Sequence, residues 1–152
     1  MKNNITQKRA SKQIIVVRKD LRNSKGEKIR TGKYCSQSAH ASLKAILDLT
    51  HREPNEMSQG SEGNEELIIS LNEGSALKDW IDGLFTKITV YVNSEAELIA
   101  VYSMAKDKGL ICSLITDAGL TEFGGISTIT CCAIGPCWEE ELVGITDKLP
   151  LL

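Results

Sequence analysis

The sequence IIVV at residues 14–17 is a continuous run of β-branched side chains, flanked by Lys12 and Arg18. A β-strand points successive side chains to opposite faces of a sheet, so a run of this kind is apolar on both faces. Other elements must then cover both faces. The run therefore predicts a central strand in a sheet with helices on each side, which is the arrangement of an α/β domain.

The segments that follow this strand alternate between helical and strand patterns. Residues 20–32 are polar and rich in turn-forming residues, which predicts a loop, and residues 33–49 have the apolar spacing of a helix. Later in the chain we predict a short helix over 75–81, a strand over 85–92, a helix over 94–108, strands over 110–116 and 127–134, and a short helix over 138–143. Gly135-Pro136 is expected to end the last strand. The expected fold is α/β with three layers, a four-stranded mixed sheet lying between helices.

The length of 152 residues indicates one main domain. We expect a basic N-terminal tail over 1–11 and a single domain over 12–152. Residues 51–74 contain proline, several glycines and many acidic side chains, so we expect an excursion from the compact domain there, with a weak strand or turn near 67–69.

Charge is unevenly distributed along the chain. The net charge is only -2, yet residues 1–33 contain eleven Lys or Arg and two acidic residues, whereas the remaining residues contain seven basic and eighteen acidic ones. A basic surface beside a cleft attracts a polyanion even when the overall charge is negative. The alternative is a solvated tail followed by a charged loop, and the distribution alone favours neither.

Composition argues against several classes of protein. No run of 18 apolar residues is present, and the polar N-terminus lacks the apolar core of a secretory signal, so we expect no membrane association. The five cysteines are odd in number and form no CxxC pair, which predicts free thiols in a reducing compartment, the cytoplasm. With only two histidines, no zinc-ligand spacing can be assembled, and we expect no metal and no cofactor.

The first candidate site segment is GKYCSQSAHA at residues 32–41. Lys33, Gln37 and His40 are spaced so that they share one face of the predicted helix. A cation at a helix N-terminus opposes the helix dipole, so Lys33 indicates a nearby anion, with plain solvation as the alternative. His40 has the chemistry of a general base, with a hydrogen-bonded core histidine as the alternative.

The second candidate segment is DAGLTEF at residues 117–123. Asp117 directly follows a predicted strand, and strand ends are where α/β sheets bind ligands. Its carboxylate is suited to orienting water, to holding a lysine, or to stabilising its own turn. Thr121 is suited to hydrogen bonding with a substrate or to capping the turn.

Together these two motifs resemble those of the archaeal and eukaryotic type of peptidyl-tRNA hydrolase. GKYCSQSAHA is similar to the helix motif of that family, and DAGLTEFGG followed by AIGP is similar to its second motif. The opening IIVVRKDL and the SEAEL helix after TKITVYVN also fit. The resemblance extends over about residues 12–49 and 85–152.

The resemblance implies an enzyme that hydrolyses the ester between a peptide and the terminal ribose of tRNA, without metal or cofactor. It also implies that Lys33, Gln37, His40, Asp117 and Thr121 are functional positions. We assign Lys33, His40, Asp117 and Thr121 to catalysis, and Lys33 and Gln37 to substrate binding as well. The family fold is often dimeric, so a homodimer is a further expectation.

The basic N-terminal segment and one departure from the family pattern complete the prediction. We expect Arg18 and Lys19, together with Lys33, to bind the tRNA. Many relatives have Gln at the position of Glu122, and TEF at 121–123 is a feature of bacterial relatives, so we expect a bacterial or phage member of the family. The alternative function is a non-catalytic RNA- or protein-binding module on the same fold.

Overall fold

The computed structural model describes residues 9–55 and 64–152. Its strands are β1 (Ser11–Arg18), β2 (His51–Pro54), β3 (Glu65–Ile68), β4 (Lys87–Val92), β5 (Cys112–Asp117) and β6 (Thr128–Trp138). Its helices are α1 (Thr31–Leu47), α2 (Ala76–Asp82) and α3 (Glu95–Asp107), and a 3-10 turn follows at Glu139–Leu142.

The main sheet has four strands in the order β4-β1-β6-β5. Strand β1 is parallel to β4 and antiparallel to β6, and β5 is antiparallel to β6. Val16 of β1 is paired with Val90 on one side and with Cys132 on the other. The predictions of a mixed four-stranded sheet and of an interior strand at 14–17 are therefore confirmed.

Helices cover both faces of this sheet. Ile15 points to the layer of α1, where it belongs to a buried cluster with Ala41 and Ala45. Val16 points to the opposite layer, where it belongs to a buried cluster with Leu98 of α3. The alternation of a strand thus divides the IIVV run between two cores, and the predicted three-layer α/β fold is confirmed.

The starts of α2 and α3 follow from local capping. Ser94 Oγ accepts a hydrogen bond from Glu97 N–H at 3.1 Å, while Glu97 Oε2 accepts from Asn93 N–H at 2.7 Å. Ser75 Oγ accepts from Lys78 N–H at 3.2 Å at the start of α2. These caps satisfy N–H groups that have no partner within the helix.

The prediction that Gly135-Pro136 ends the last strand is wrong. Strand β6 continues to Trp138, and the register with β1 shifts between Lys12 and Ile14 to absorb the proline. Gly135 has φ +94, and a Cβ there would lie 2.6 Å from Lys12 O, so the bulge requires glycine. The final helix predicted over 138–143 is only the 3-10 turn.

Within residues 51–74, the described part forms a small antiparallel hairpin of β2 and β3. Strand β2 was not predicted, and β3 begins two residues before the predicted 67–69. Residues 1–8, which make up most of the predicted N-terminal tail, lie outside the described residues. Residues 56–63, the centre of the predicted excursion, also lie outside them.

The C-terminal residues dock onto the edge strand β4. Leu151 forms a β-bridge with Val90, and Leu152 N–H donates to Thr89 O at 3.1 Å. This contact gives the outer edge of the sheet a partner. In the described ranges 9–55 and 64–152, no helix has the length and apolar character needed to cross a bilayer.

Candidate active site

The start of α1 and the end of β5 meet at one edge of the sheet. Lys33 lies in the first turn of α1, and Gln37 lies one turn later on the buried side of the helix. Asp117 is the last residue of β5. Because α1 packs across β5 and β6, the side chains of Lys33 and Gln37 lie next to the end of β5.

Five polar side chains form the polar cluster of this site: Lys33, Gln37, Asp117, Thr121 and Thr130. Lys33 Nζ donates to Asp117 Oδ2 at 2.7 Å and to Thr121 Oγ1 at 3.2 Å. Gln37 Nε2 donates to the same Asp117 oxygen at 2.8 Å. The structure therefore brings together four of the residues predicted from the two motifs.

Thr130 is a member of the polar cluster that the sequence did not reveal. Its buried hydroxyl donates to Gln37 Oε1 at 2.5 Å. Since the Gln37 carbonyl is thereby committed to Thr130, its NH₂ group must face Asp117. Thr130 and Gln37 are 93 residues apart in sequence, so no local pattern signals their contact.

Asp117 combines two of the roles considered for it. Its Oδ2 holds Lys33, and its Oδ1 accepts from Gly119 N–H at 2.8 Å, which stabilises the turn. Burial acts to raise the pKa of Asp117, but hydrogen bonds from Lys33, Gly119 and Gln37 and the charge of Lys33 outweigh burial and lower it. Asp117 is therefore a carboxylate at neutral pH.

Lys33 is not a freely solvated cation. Its side chain is 10% exposed and that of Asp117 is 15% exposed, so the two charges neutralise each other largely away from water. The anion indicated by a lysine at a helix N-terminus is thus Asp117. An ammonium group has three N–H donors, and in the described residues Asp117 and Thr121 take two of the donors of Lys33.

His40 is exposed, so the alternative of a core histidine is wrong. It lines a cavity of about 500 Å³ that extends from Asp117 along α1. Leu43, Leu47 and Ile115 contribute apolar wall to the same cavity. The cavity therefore joins a titratable side chain, the predicted carboxylate and an apolar surface.

The two other predicted substrate residues lie at the end of β1. The Arg18 side chain is 12% exposed, and its guanidinium donates to Asp20 at 2.7 Å and to Glu95 at 2.7 Å. Lys19 is exposed and lies over the ring of Tyr91 at 3.9 Å. Arg18 thus has a structural ion-pair network, whereas Lys19 presents its charge at the surface.

Glu122 does not place a free negative charge beside the site. Its side chain is 7% exposed, and Oε1 accepts from Arg30 Nε at 2.9 Å. Hydrogen bonds and charge from Arg30 lower the pKa of Glu122, so the pair is ionised at neutral pH. Sequence reasoning identified Glu122 as a departure from the family pattern but did not identify its partner.

The buried thiol of Cys131 borders the polar cluster, because it contacts Gln37 and Thr130. Burial raises the pKa of Cys131 to about 11, and its Sγ donates to Gln37 O at 3.2 Å. All five cysteines are free, and Cys35 is exposed on α1. Over residues 9–55 and 64–152, no three or more His, Cys, Asp or Glu side chains are grouped to hold a metal ion.

The fold and the polar cluster define a small α/β protein in which a carboxylate-containing cleft lies where a helix begins and a strand ends. The family described as peptidyl-tRNA hydrolase PTH2 matches residues 11–152. Similar proteins include the peptidyl-tRNA hydrolases of Methanocaldococcus jannaschii, 34% identical over 93% of this chain and 99% of the relative, and of Methanopyrus kandleri, 35% identical over 93% and 97%.

A third relative, the peptidyl-tRNA hydrolase of Nanoarchaeum equitans, is 34% identical over 92% of this chain and 97% of its own length. The chain therefore belongs to the PTH2 family of peptidyl-tRNA hydrolases, and the resemblance inferred from the two motifs is confirmed. These relatives are archaeal, and they give no support to the expectation of a bacterial or phage member.

Proposed function

We propose that this protein hydrolyses the ester bond of peptidyl-tRNA, releasing the peptide and free tRNA. The observation that carries the proposal is the polar cluster, in which Lys33, Asp117 and Thr121 meet from two distant segments of a chain that belongs to this family. A non-catalytic binding module would not need a lysine and a carboxylate organised by a buried Gln37–Thr130 pair.

Lys33 is the proposed electrostatic group for the tetrahedral intermediate. Water attack on the ester carbonyl places negative charge on its oxygen, and a fixed donor aimed at that oxygen lowers the barrier. Asp117 and Thr121 hold two N–H donors of Lys33, which leaves its third donor for that oxygen. The small exposure of the Lys33 side chain, with the Phe123 ring 5.3 Å from Nζ, strengthens this interaction.

His40 and Asp117 are the proposed groups that handle the attacking water. Asp117 is a weak base because its pKa is lowered, so its contribution is to position Lys33, Gln37 and water. His40 lies on the same cavity and is the proposed acceptor of the proton of that water. Thr121 Oγ1 holds the Lys33 ammonium group and offers its own hydroxyl to the substrate.

A basic loop over residues 19–29 is the proposed contact for the tRNA phosphates. Asn23 Oδ1 accepts from the N–H groups of Lys25 at 2.9 Å and Glu27 at 3.0 Å, which orders a tight turn. Arg22 and Lys28 form a β-bridge beside that turn and are exposed. This loop leads directly into α1, so its charges adjoin the polar cluster. Arg18 lies before the loop, and its role in substrate binding stays a prediction.

The cavity along α1 is the proposed location of the peptide. It begins at Asp117, and Leu43 and Leu47 form part of its wall. The basic loop precedes the N-terminus of α1. A peptide therefore extends along α1, and the polyanionic tRNA lies toward the loop.

We also propose a homodimer and a cytoplasmic location. An apolar groove of about 710 Å³ lies between α1 and α2 and is lined by Leu43, Trp80 and Phe85. This groove supports the homodimer, because a second copy of the chain would bury its apolar lining. A peptidyl-tRNA substrate supports a location with the translation machinery. Light scattering after size exclusion measures the mass, and a single-chain mass at micromolar concentration contradicts the dimer.

The direct test of the proposed activity compares two substrates. N-acetyl-aminoacyl-tRNA and unblocked aminoacyl-tRNA carry the same ester, but the unblocked one has a charged amino group in place of an amide. We expect rapid release of free tRNA from the blocked substrate and little release from the other. No release from either, with a parallel peptidyl-tRNA hydrolase active on the blocked substrate, contradicts the proposal.

A further inference from the structure

We infer that the ion pair of Arg30 and Glu122 is a positioning device that sets the distance between Lys33 and the 117–125 loop. This inference rests on the proposed hydrolase function. Glu122 accepts from Arg30 Nε at 2.9 Å through Oε1 and from Arg30 N–H at 3.3 Å through Oε2. One carboxylate therefore binds both the side chain and the main chain at the position where α1 begins.

The main chain of Glu122 is held as well. Ser24 N–H donates to Glu122 O at 2.7 Å, so the basic loop and the 117–125 loop are joined at the same residue. Arg30 is the N-cap of α1 and makes no side-chain capping bond of its own. The carboxylate of Glu122 lies at that end of the helix, where negative charge is stabilised by the helix dipole.

The neighbours of both partners contact the polar cluster. On the loop, Thr121 and Phe123 flank Glu122, and Thr121 Oγ1 accepts from Lys33 Nζ at 3.2 Å. On the helix, Arg30 O accepts from Lys33 N–H at 2.9 Å. A change in the Arg30–Glu122 distance therefore moves Thr121 relative to Lys33.

Stability alone does not account for this pair. The Arg30 side chain is 81% exposed, and ion pairs with a solvated partner contribute little to folding. Burying the other partner, a carboxylate, is unfavourable unless it is satisfied. A buried carboxylate directed at one exposed arginine is thus better explained by the geometry that it imposes on the adjoining site.

The test is a double-mutant cycle of Arg30→Ala and Glu122→Ala, with steady-state kinetics on N-acetyl-aminoacyl-tRNA. A displacement of about 1 Å in a catalytic group costs up to 10²-fold, so we expect each single variant to lower kcat about 10-fold or more, with KM changed less than about 2-fold. The two effects should not add, because either substitution breaks the same pair. Glu122→Gln keeps one acceptor oxygen for Arg30 but loses the second hydrogen bond, so it should recover part of the kcat that Glu122→Ala loses.

Two controls separate positioning from other roles. Glu139→Ala breaks another ion pair between distant segments, Lys12–Glu139 at 2.8 Å, and should leave kcat unchanged. If Arg30 instead contacts a tRNA phosphate, Arg30→Ala should raise KM and weaken the salt dependence of kcat/KM. These changes should then be the same in the wild-type protein and in the Glu122→Ala variant. Circular dichroism at the assay temperature confirms that each variant is folded.

The results that overturn the inference are specific. With an active wild type, a folded Glu122→Ala protein with wild-type kcat, or additive effects in the cycle, overturns it while the proposed function stands. If Glu122→Ala does not fold, Arg30→Ala alone decides, since its side chain lies at the surface: unchanged kcat overturns the inference. A wild type with no hydrolase activity overturns the proposed function and this inference with it.

Discussion

Replacing Asp117 with Asn tests whether a carboxylate organises the polar cluster. In the native protein Oδ2 accepts from Lys33 and Gln37, and Oδ1 accepts from Gly119 N–H. Asn has the same shape but only one acceptor oxygen, and its NH₂ group must face one of these donors. At least one donor in the cluster therefore loses its acceptor, and Lys33 loses the charge that neutralises it.

The expected magnitude follows from these contacts. Leaving a buried donor without an acceptor costs about 1–3 kcal/mol, and the small exposure of Lys33 and Asp117 lets water compensate only in part. We expect Asp117→Asn to lower the free energy of unfolding by about 2 kcal/mol at neutral pH. We expect kcat to fall about 10²-fold or more, because Lys33 and Gln37 lose their common anchor.

The pH dependence has a definite sign. Burial opposes ionisation of Asp117, but its hydrogen bonds and Lys33 lower its pKa in the folded protein. A carboxyl group of this kind contributes stability above its unfolded-state pKa, about 3.9, and loses it as the pH falls through the folded-state value. The stability difference between wild type and variant should be constant down to about pH 5 and shrink below about pH 4.

Urea denaturation followed by circular dichroism, at several pH values, measures these free energies. Asp107→Asn is the matched control, because Asp107 is exposed at the end of α3. An Asp117→Asn protein with wild-type stability and turnover refutes the reasoning. So does a stability difference that grows as the pH falls.

Three further predictions follow from the site. Thr130→Val removes the donor to Gln37 Oε1 and should lower kcat about 10-fold in steady-state kinetics, whereas Thr128→Val, at a more exposed position, should leave it unchanged. Removing Lys25 and Lys28 together should raise KM and reduce the salt dependence of kcat/KM, and an unchanged salt slope contradicts a phosphate contact. EDTA should leave the rate unchanged once tRNA folding is controlled, and activity restored by an added divalent ion contradicts metal-independent hydrolysis.

Short-range patterns predicted most of the fold. The IIVV run, the apolar spacing of α1 and the Ser94 cap depend on residues within one strand or one helical turn, so the sequence displays them directly. The continuation of β6 through Gly135-Pro136 depends on the register with β1, more than a hundred residues away. The β2–β3 hairpin is exposed and has no apolar alternation, so its pattern was too weak to predict β2.

The candidate site divides in the same way. Lys33, Gln37 and Asp117 lie in two motifs, and the resemblance of these motifs to those of the family predicted their roles where residue spacing alone left alternatives open. Thr130 and the Arg30–Glu122 pair were not predicted, because each contact joins residues more than ninety positions apart. Such contacts follow from the packing of α1 against the sheet and the 117–125 loop.

The most direct test of the central claim is the single-turnover rate of Lys33→Met on N-acetyl-aminoacyl-tRNA, with enzyme in excess. This condition measures the chemical step without product release. Lys12→Met is the matched control, since Lys12 is also a partly buried, ion-paired lysine but lies away from the cleft. The account predicts a fall of about 10²-fold or more for Lys33→Met and a wild-type rate for Lys12→Met. A folded Lys33→Met protein with the wild-type single-turnover rate contradicts the assignment of the polar cluster as the active site.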